Sequence, residues 1–130
     1  MRINAEKAAF EIIRVADAFF QGNHFVLSAE LNLSNELITE GFEQLKSIGN
    51  GIYHDLTAPP SGCSISVEED DEDQANEDAP IRIYKLNTGG WGYEMDTFKS
   101  GKKTDLTMRG ELASDFNESR AIQFYMFEVM

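Results

Sequence analysis

The chain is short of cysteine, histidine and basic residues, and it holds no long apolar run. Its single cysteine, Cys63, excludes an internal disulfide framework and a cysteine-based zinc site, so an apolar core has to hold the fold by itself. With no basic residue beside it in sequence, Cys63 reads as an idle thiol rather than a nucleophile. The longest uncharged stretches, Ala18 to Ala29 and Leu56 to Val67, are too short and broken to span a bilayer, and Met1 to Lys7 lacks the apolar run of a signal peptide. A reducing, cytoplasmic setting is the expectation. With 11 bases against 23 acids and a formal charge of -12, neither nucleic acid nor an anionic membrane surface is an expected partner, because each calls for Lys and Arg gathered on one face. The nucleophile-elbow, Walker, dinucleotide-binding and H-E-x-x-H motifs are also missing, so no cofactor and no metal is expected.

What is present suffices for one domain. A chain of 130 residues that is 42% apolar can bury a single core, and residues 1–130 read as one α+β domain. Glu68 to Ala79 reads EEDDEDQANEDA, with eight acids and no base; outside it, 15 acids face 11 bases. The extreme charge is therefore local. A self-repelling run with nothing apolar to bury is expected to be a solvated, mobile loop over 68–79. It fails as a calcium loop, because no start within it supplies both the Gly and the Glu that such a loop needs.

Ahead of that run the pattern is helical. Ala5, Ala8, Ala9, Ile12, Ile13, Val15, Ala16, Phe19 and Phe20 fall on an arc roughly 160° wide, with Lys7, Glu11, Arg14 and Ala18 opposite. Asn4 suits the N-cap and Gly22 the stop. Phe25, Leu27, Ala29, Leu31 and Leu33 alternate with Val26, Ser28, Glu30 and Asn32, which predicts a strand. Ser34 caps a second helix to about Ile48, ended by Gly49-Asn50-Gly51. The outer face of that helix, Glu36, Thr39, Glu40, Glu43 and Ser47, would repel phosphates, which rejects a DNA-reading helix and wing. Pro59-Pro60-Ser61-Gly62 marks a break before a short strand from Cys63 to Val67. Ile81 to Leu86, Trp91 to Phe98, Lys103 to Leu112 and Ala121 to Val129 then read as an antiparallel meander. The expected architecture is two helices on a mainly antiparallel, curved sheet of about five or six strands.

Chemistry is sought on that meander. A tight turn at Ser100-Gly101 predicts Asp96 opposite Asp105, Met95 opposite Leu106, Tyr93 opposite Met108 and Trp91 over Gly110. One face is then apolar, with Trp91, Tyr93, Met95, Leu106, Met108 and Leu112. The other carries Glu94, Asp96, Phe98, Lys103, Asp105, Thr107, Arg109 and Glu111. The opposed Asp96 and Asp105 are the catalytic candidates, with His24 and His54 the only imidazoles able to serve them. Trp91, Tyr93, Tyr84, Tyr125 and Tyr53 are the candidate binding residues, since a ring with a polar tip serves pockets and interfaces. A regular Asn87-to-Gly90 turn would pair Tyr84 with Tyr93 and let them line a cavity between sheet and helix. In the last strand, Ile122, Phe124 and Met126 alternate with Gln123, Tyr125, Phe127 and Val129. Both faces then ask for cover, and a homodimer is the expected way to supply it.

The segment from Trp91-Gly92-Tyr93-Glu94-Met95-Asp96 through Gly101 to Asp105-Leu106-Thr107-Met108-Arg109 resembles a strand-turn-strand of small bacterial domains of unknown function. In those domains a curved antiparallel sheet wraps a long N-terminal helix, as in cystatin-like and nuclear-transport-factor-like folds. The acidic, motif-poor build also resembles proteins carried in mobile (integron) gene cassettes and some immunity proteins. The resemblance covers about a sixth of the chain and implies a fold, not site residues. The early strand, the second helix and the acidic run depart from the nuclear-transport-factor-like order. The lead expectation is a non-catalytic homodimeric module that binds a basic protein partner or a small ligand through its aromatic-bearing sheet. The alternatives are a small-molecule enzyme built on Asp96 and Asp105, and an acidic mimic of nucleic acid built on residues 68–79.

Overall fold

The computed structural model describes residues 2–48, 55–69 and 76–129. Gly49-Asn50-Gly51, Tyr53, His54 and the centre of the acidic run, residues 70–75, lie outside the described residues. The elements are α1 (Ala5–Phe20), a π-helical turn (Val26–Glu30), α2 (Asn35–Ile48), β1 (Leu56–Thr57), β2 (Ile65–Glu68), β3 (Ile81–Lys85), β4 (Trp91–Lys99), β5 (Lys102–Leu112), a one-turn helix α3 (Phe116–Ser119) and β6 (Ile122–Val129). The strands make one six-stranded sheet in the order β2-β3-β4-β5-β6, with β1 paired to the far end of β4. This is the α+β class that the pattern predicts. No helix among the described residues is long and apolar enough to cross a membrane.

Helix α1 starts where Asn4 accepts a hydrogen bond from the Lys7 amide at 3.0 Å, and it stops before Gly22, which takes a positive φ of 68°. Its buried surface is wider than the arc predicted, since Glu11 and Ala18 are buried too. The cause is its surroundings: α1 touches β1, β2, β6 and the π-helical turn. Glu11 survives burial beside Arg14, whose Nη1 lies 3.5 Å from its carboxylate.

The strand expected over Phe25 to Leu33 is instead a helical turn. Asn23 Oδ1 accepts from the Val26 amide at 3.2 Å, and the wide turn closes with Leu31 N donating to Val26 O at 2.8 Å. Leu27 and Leu31 stand one turn apart and Leu33 follows, all three buried, while Ala29 is exposed. Leu and Ala favour helix, and that local preference overrides the alternation. Ser34 Oγ then accepts from the Leu37 amide at 3.2 Å to open α2.

Rings join the helices to the sheet. Phe19 of α1 lies 5.2 Å from Phe42 of α2, and 4.5 and 5.3 Å from Phe124 and Phe127 of β6. Such pairs contribute roughly 0.5–1.5 kcal/mol each beyond their buried area. Gly41 lets α2 approach this closely, because a Cβ there would run into the rings of Phe19 and Phe124. Gln44 of α2 also accepts from the Phe127 amide at 2.7 Å, which covers a donor on the outer edge of β6.

The sheet departs from a plain meander at four places. β2 pairs with β3 in parallel, Ile65 opposite Ile81, so the connection through the acidic run is a crossover rather than a hairpin. At the next turn, Leu86 N donates to Gly90 O at 2.9 Å, leaving a loop of Asn87 to Gly89 with Gly89 at a φ of 97°. That shifts the expected register by one residue: Tyr84 lies opposite Gly92, Tyr93 lies opposite Ile83, and the two tyrosines point to opposite faces.

The Ser100-Gly101 turn forms with φ of 52° and 78° and Phe98 opposite Lys103, as the sequence predicts. Beyond it the register jumps, and Asp96 faces Thr107 instead of Asp105. Thr97 closes the bulge, its Oγ1 2.6 Å from Thr104 Oγ1 and donating to Leu106 O at 2.9 Å. A jump of this parity keeps every side chain on its expected face. Trp91, Tyr93, Met95, Leu106, Met108 and Leu112 are all buried, but Tyr93 rather than Trp91 lies over Gly110. In β6, Tyr125 is an extra residue between the Arg109/Met126 and Gly110/Phe124 pairs. This bulge reverses the alternation, so Ile122, Phe124 and Phe127 all enter one core. The apolar side chains of this strand left in solvent are Tyr125, Met126 and Val129.

Two substitutions test this packing by urea denaturation. Gly110→Ala would drive a Cβ into Gln123 O and the Tyr93 ring and should cost about 3 kcal/mol. Gln44→Ala orphans the Phe127 amide and should cost about 1–2 kcal/mol.

Candidate binding face

The helices cover one face of the sheet, and the other face carries a ladder of opposite charges across four strands. Arg82 of β3 grips Asp96 of β4 with two hydrogen bonds, Nη1 to Oδ2 at 3.0 Å and Nη2 to Oδ1 at 2.9 Å, while Nη1 also donates to Ala79 O at 2.8 Å. Its Nε lies 3.5 Å from Glu94 Oε1. The other oxygen of Glu94 accepts from Arg109 Nη2 of β5, and Arg109 Nε lies 2.9 Å from Glu128 Oε1 of β6, a contact whose angle is too bent for a hydrogen bond. Lys103 adds a second cation, 3.5 Å from Asp96 Oδ2. Asp96 is only 3% exposed, and Arg82 takes both of its oxygens. The carboxylates beside them raise Arg82 and Arg109 further above their already high values, hydrogen bonding being the largest cause in each.

Two concavities flank the ladder. A polar cleft of about 620 Å³ opens at one end, lined by Arg82, Asp96, Lys103, Thr107, Asp105 and Glu77. The cations there already have anionic partners, whereas Asp105 and Glu77 form no ion pair among the described residues, so the cleft presents an acidic rim. A smaller hollow of about 200 Å³ lies between Tyr84, Gly92, Arg109, Tyr125 and Met126. The Tyr84 ring lies over Gly92, where a side chain would collide with it. Tyr125 and Met126 are exposed because the bulge turns both outward. The Tyr125 hydroxyl is pushed up to about 12 by its hydrogen bond to Glu111 first and by burial second, and burial raises Tyr84.

The candidates from sequence are divided by this arrangement. Asp96 and Asp105 are not cross-strand partners, and Arg82 occupies both oxygens of Asp96, but the two aspartates line the same cleft. Repulsion between like charges disfavours the expected register, and the observed one sets Glu94 opposite Arg109. His24 lies on the helical side, stacked on Phe42 at 4.6 Å, away from Asp96. His54 and Tyr53 lie outside the described residues. Trp91 and Tyr93 are 3% and 0% exposed and offer no surface to a partner. Tyr93 donates to Gln123 O at 2.9 Å, and Lys85 Nζ sits 4.0 Å above the Trp91 ring. Of the aromatic candidates described, Tyr84 and Tyr125 reach the open face. Sequence reading missed Arg82 as the centre of the ladder, although its place opposite Glu94 follows once the three-residue loop is known. Among the described residues no group of three or more His, Cys, Asp or Glu side chains could hold a metal ion. Compared with known proteins, the chain matches no family model, no curated protein and no solved structure.

The ladder is tested by a mutant cycle. Asp96→Ala leaves Arg82 half-paired and should cost about 3 kcal/mol, while the double change Arg82→Met with Asp96→Leu should cost much less. Alkaline titration reads the tyrosines. Their protons are held more tightly folded than unfolded, so the stability this brings is whole below about pH 10. It should be lost as pH rises through about 12, the value of Tyr125, with phenolate absorbance and unfolding followed together.

Proposed function

We propose that the protein is a non-catalytic module that binds a basic protein segment across the open face of its sheet. The observation that carries this reading is an acidic-rimmed cleft and a hollow of half-buried Tyr84 with exposed Tyr125 and Met126 on the same sheet. A cationic side chain would meet Asp105 and Glu77 in the cleft, and the aromatic hollow would take an apolar neighbour. The ladder between them is internally neutralised. It supplies a flat, preorganised floor rather than reactive groups. The formal charge of -12 favours the same class of partner by steering. A second copy of the chain is the other occupant this face could take, since Tyr125, Met126 and Val129 of β6 stand exposed on it.

Octalysine and octaglutamate serve as probes in an amide NMR titration of the whole chain. Octalysine should shift Glu77, Asp105 and Thr107, weaken steeply with salt, and lose roughly fivefold or more in affinity on Glu77→Gln with Asp105→Asn. Shifts confined to residues 68–75, or an equal response to octaglutamate, would refute the reading.

A further inference from the structure

On the helical side, α1 and the π-helical turn bound a second groove, of about 400 Å³, to which no strand contributes. Phe10, Ile13, Ala18 and Val26 give it apolar walls, and Asp17 lies among them with Arg14 one turn before it. Arg14 is already engaged. Its Nη1 lies 3.5 Å from Glu11 and its Nη2 3.3 Å from Glu30, so it ties α1 to the π-helical turn and closes one end of the groove. Asp17 has no ion pair and no side-chain hydrogen bond among the described residues. It is half-buried, and loss of water raises its carboxyl above the ordinary value. Phe10 in the groove wall is 59% exposed, with the Arg120 guanidinium carbon 5.9 Å from its ring centre, and Phe25, next to Val26 in the chain, is 69% exposed.

We infer that this groove docks a partner protein through a lysine or arginine side chain, set against Asp17 and flanked by an apolar residue on Phe10. The chemistry selects that occupant. A half-buried carboxylate without a partner favours a cation, and apolar walls favour one carried on a long hydrocarbon stem. An anion is repelled, and a purely apolar segment would strip Asp17 of its remaining water with nothing in exchange. A small amine is the poorer fit, since the groove is an open channel that would leave much of such a ligand in water, while a protein surface covers the exposed Phe10 ring as well. The π-helical turn builds one wall by widening the backbone at Val26 to Glu30, and such turns recur where a helix carries function. This inference does not depend on the open sheet face, with which the groove shares no lining residue.

The probe is acetyl-Leu-Arg-Leu-amide, compared with the same peptide carrying neutral citrulline, titrated into the full chain with amide and carboxyl NMR detection. The arginine peptide should shift Phe10, Asp17 and Val26 saturably, lower the Asp17 titration midpoint, and bind roughly tenfold or more tighter than the citrulline peptide. Asp17→Asn, which removes the half-buried charge without changing shape, should reduce the arginine peptide to the citrulline level, and Phe10→Ser should weaken both. Equal binding of the two peptides, indifference to Asp17→Asn, no saturable shift, or shifts at Glu77 and Asp105 instead would overturn the inference. So would butylguanidinium binding as tightly as the peptide, which assigns the groove to a small cation, or a dimer in light scattering that Phe10→Ser abolishes, which assigns it to a second copy.

Discussion

The carboxylate of Asp96 is almost wholly out of water, and Arg82 holds both of its oxygens there. A buried charge broken from its partner is costly, so this contact tolerates little slippage between β3 and β4. Once those strands are set, Glu94 comes to lie between Arg82 and Arg109, and β5 has one register in which all four groups are matched. The excess residues of β5 are displaced to Thr97, where two threonine hydroxyls absorb them. Electrostatic matching on one face thereby fixes which side chains enter the core on the other.

The two irregularities act in opposite ways. At Thr97 the jump preserves parity, so the buried stripe from Trp91 to Leu112 is undisturbed and only its neighbours change. At Tyr125 a single extra residue reverses parity, which draws Phe127 in beside Phe19 and turns Tyr125 and Met126 out. The molecule consequently has one core and one open face. Tyr93 over Gly110 on the inside and Tyr84 over Gly92 on the outside repeat one device, a ring laid across a glycine on the neighbouring strand.

Much of this was legible in the residues. Ala5 to Phe20, the second helix capped by Ser34 and the strands from Ile81 onward follow from periodicity and caps, which depend on neighbours close in the chain. The early leucines misled because Leu27, Leu31 and Leu33 satisfy a twofold alternation while Leu27 and Leu31 also satisfy a helical one, and only packing against α1 and α2 separates the two. The register errors share a different origin. Bulges depend on what the opposite strand offers, such as Arg109 for Glu94 or the aromatic cluster for Phe127, and no local pattern encodes that. The site suffered most: Asp96 and Asp105 look like a pair only if β5 carries no bulge, and Arg82 and Asp17 acquire their meaning from partners present or missing far along the chain.

The side chain of Asn117, in the connection between β5 and β6, accepts from the Asn4 amide at 2.8 Å and donates to Arg2 O at 3.0 Å, imitating one rung of a sheet for the start of the chain. Phe19 likewise finds its ring partners in Phe124 and Phe127. During synthesis, then, α1 and α2 emerge with the apolar surfaces that this sheet will cover, yet β6, which meets α2 and the Phe19 ring of α1, follows them by some seventy residues or more in the chain. Closing such distant contacts is slow because the loop entropy must be met before any contact repays it. Until β6 is made, Phe19 and Phe42 lack the sheet that covers them, and the excess of acidic residues in the chain favours repulsion between neighbouring copies.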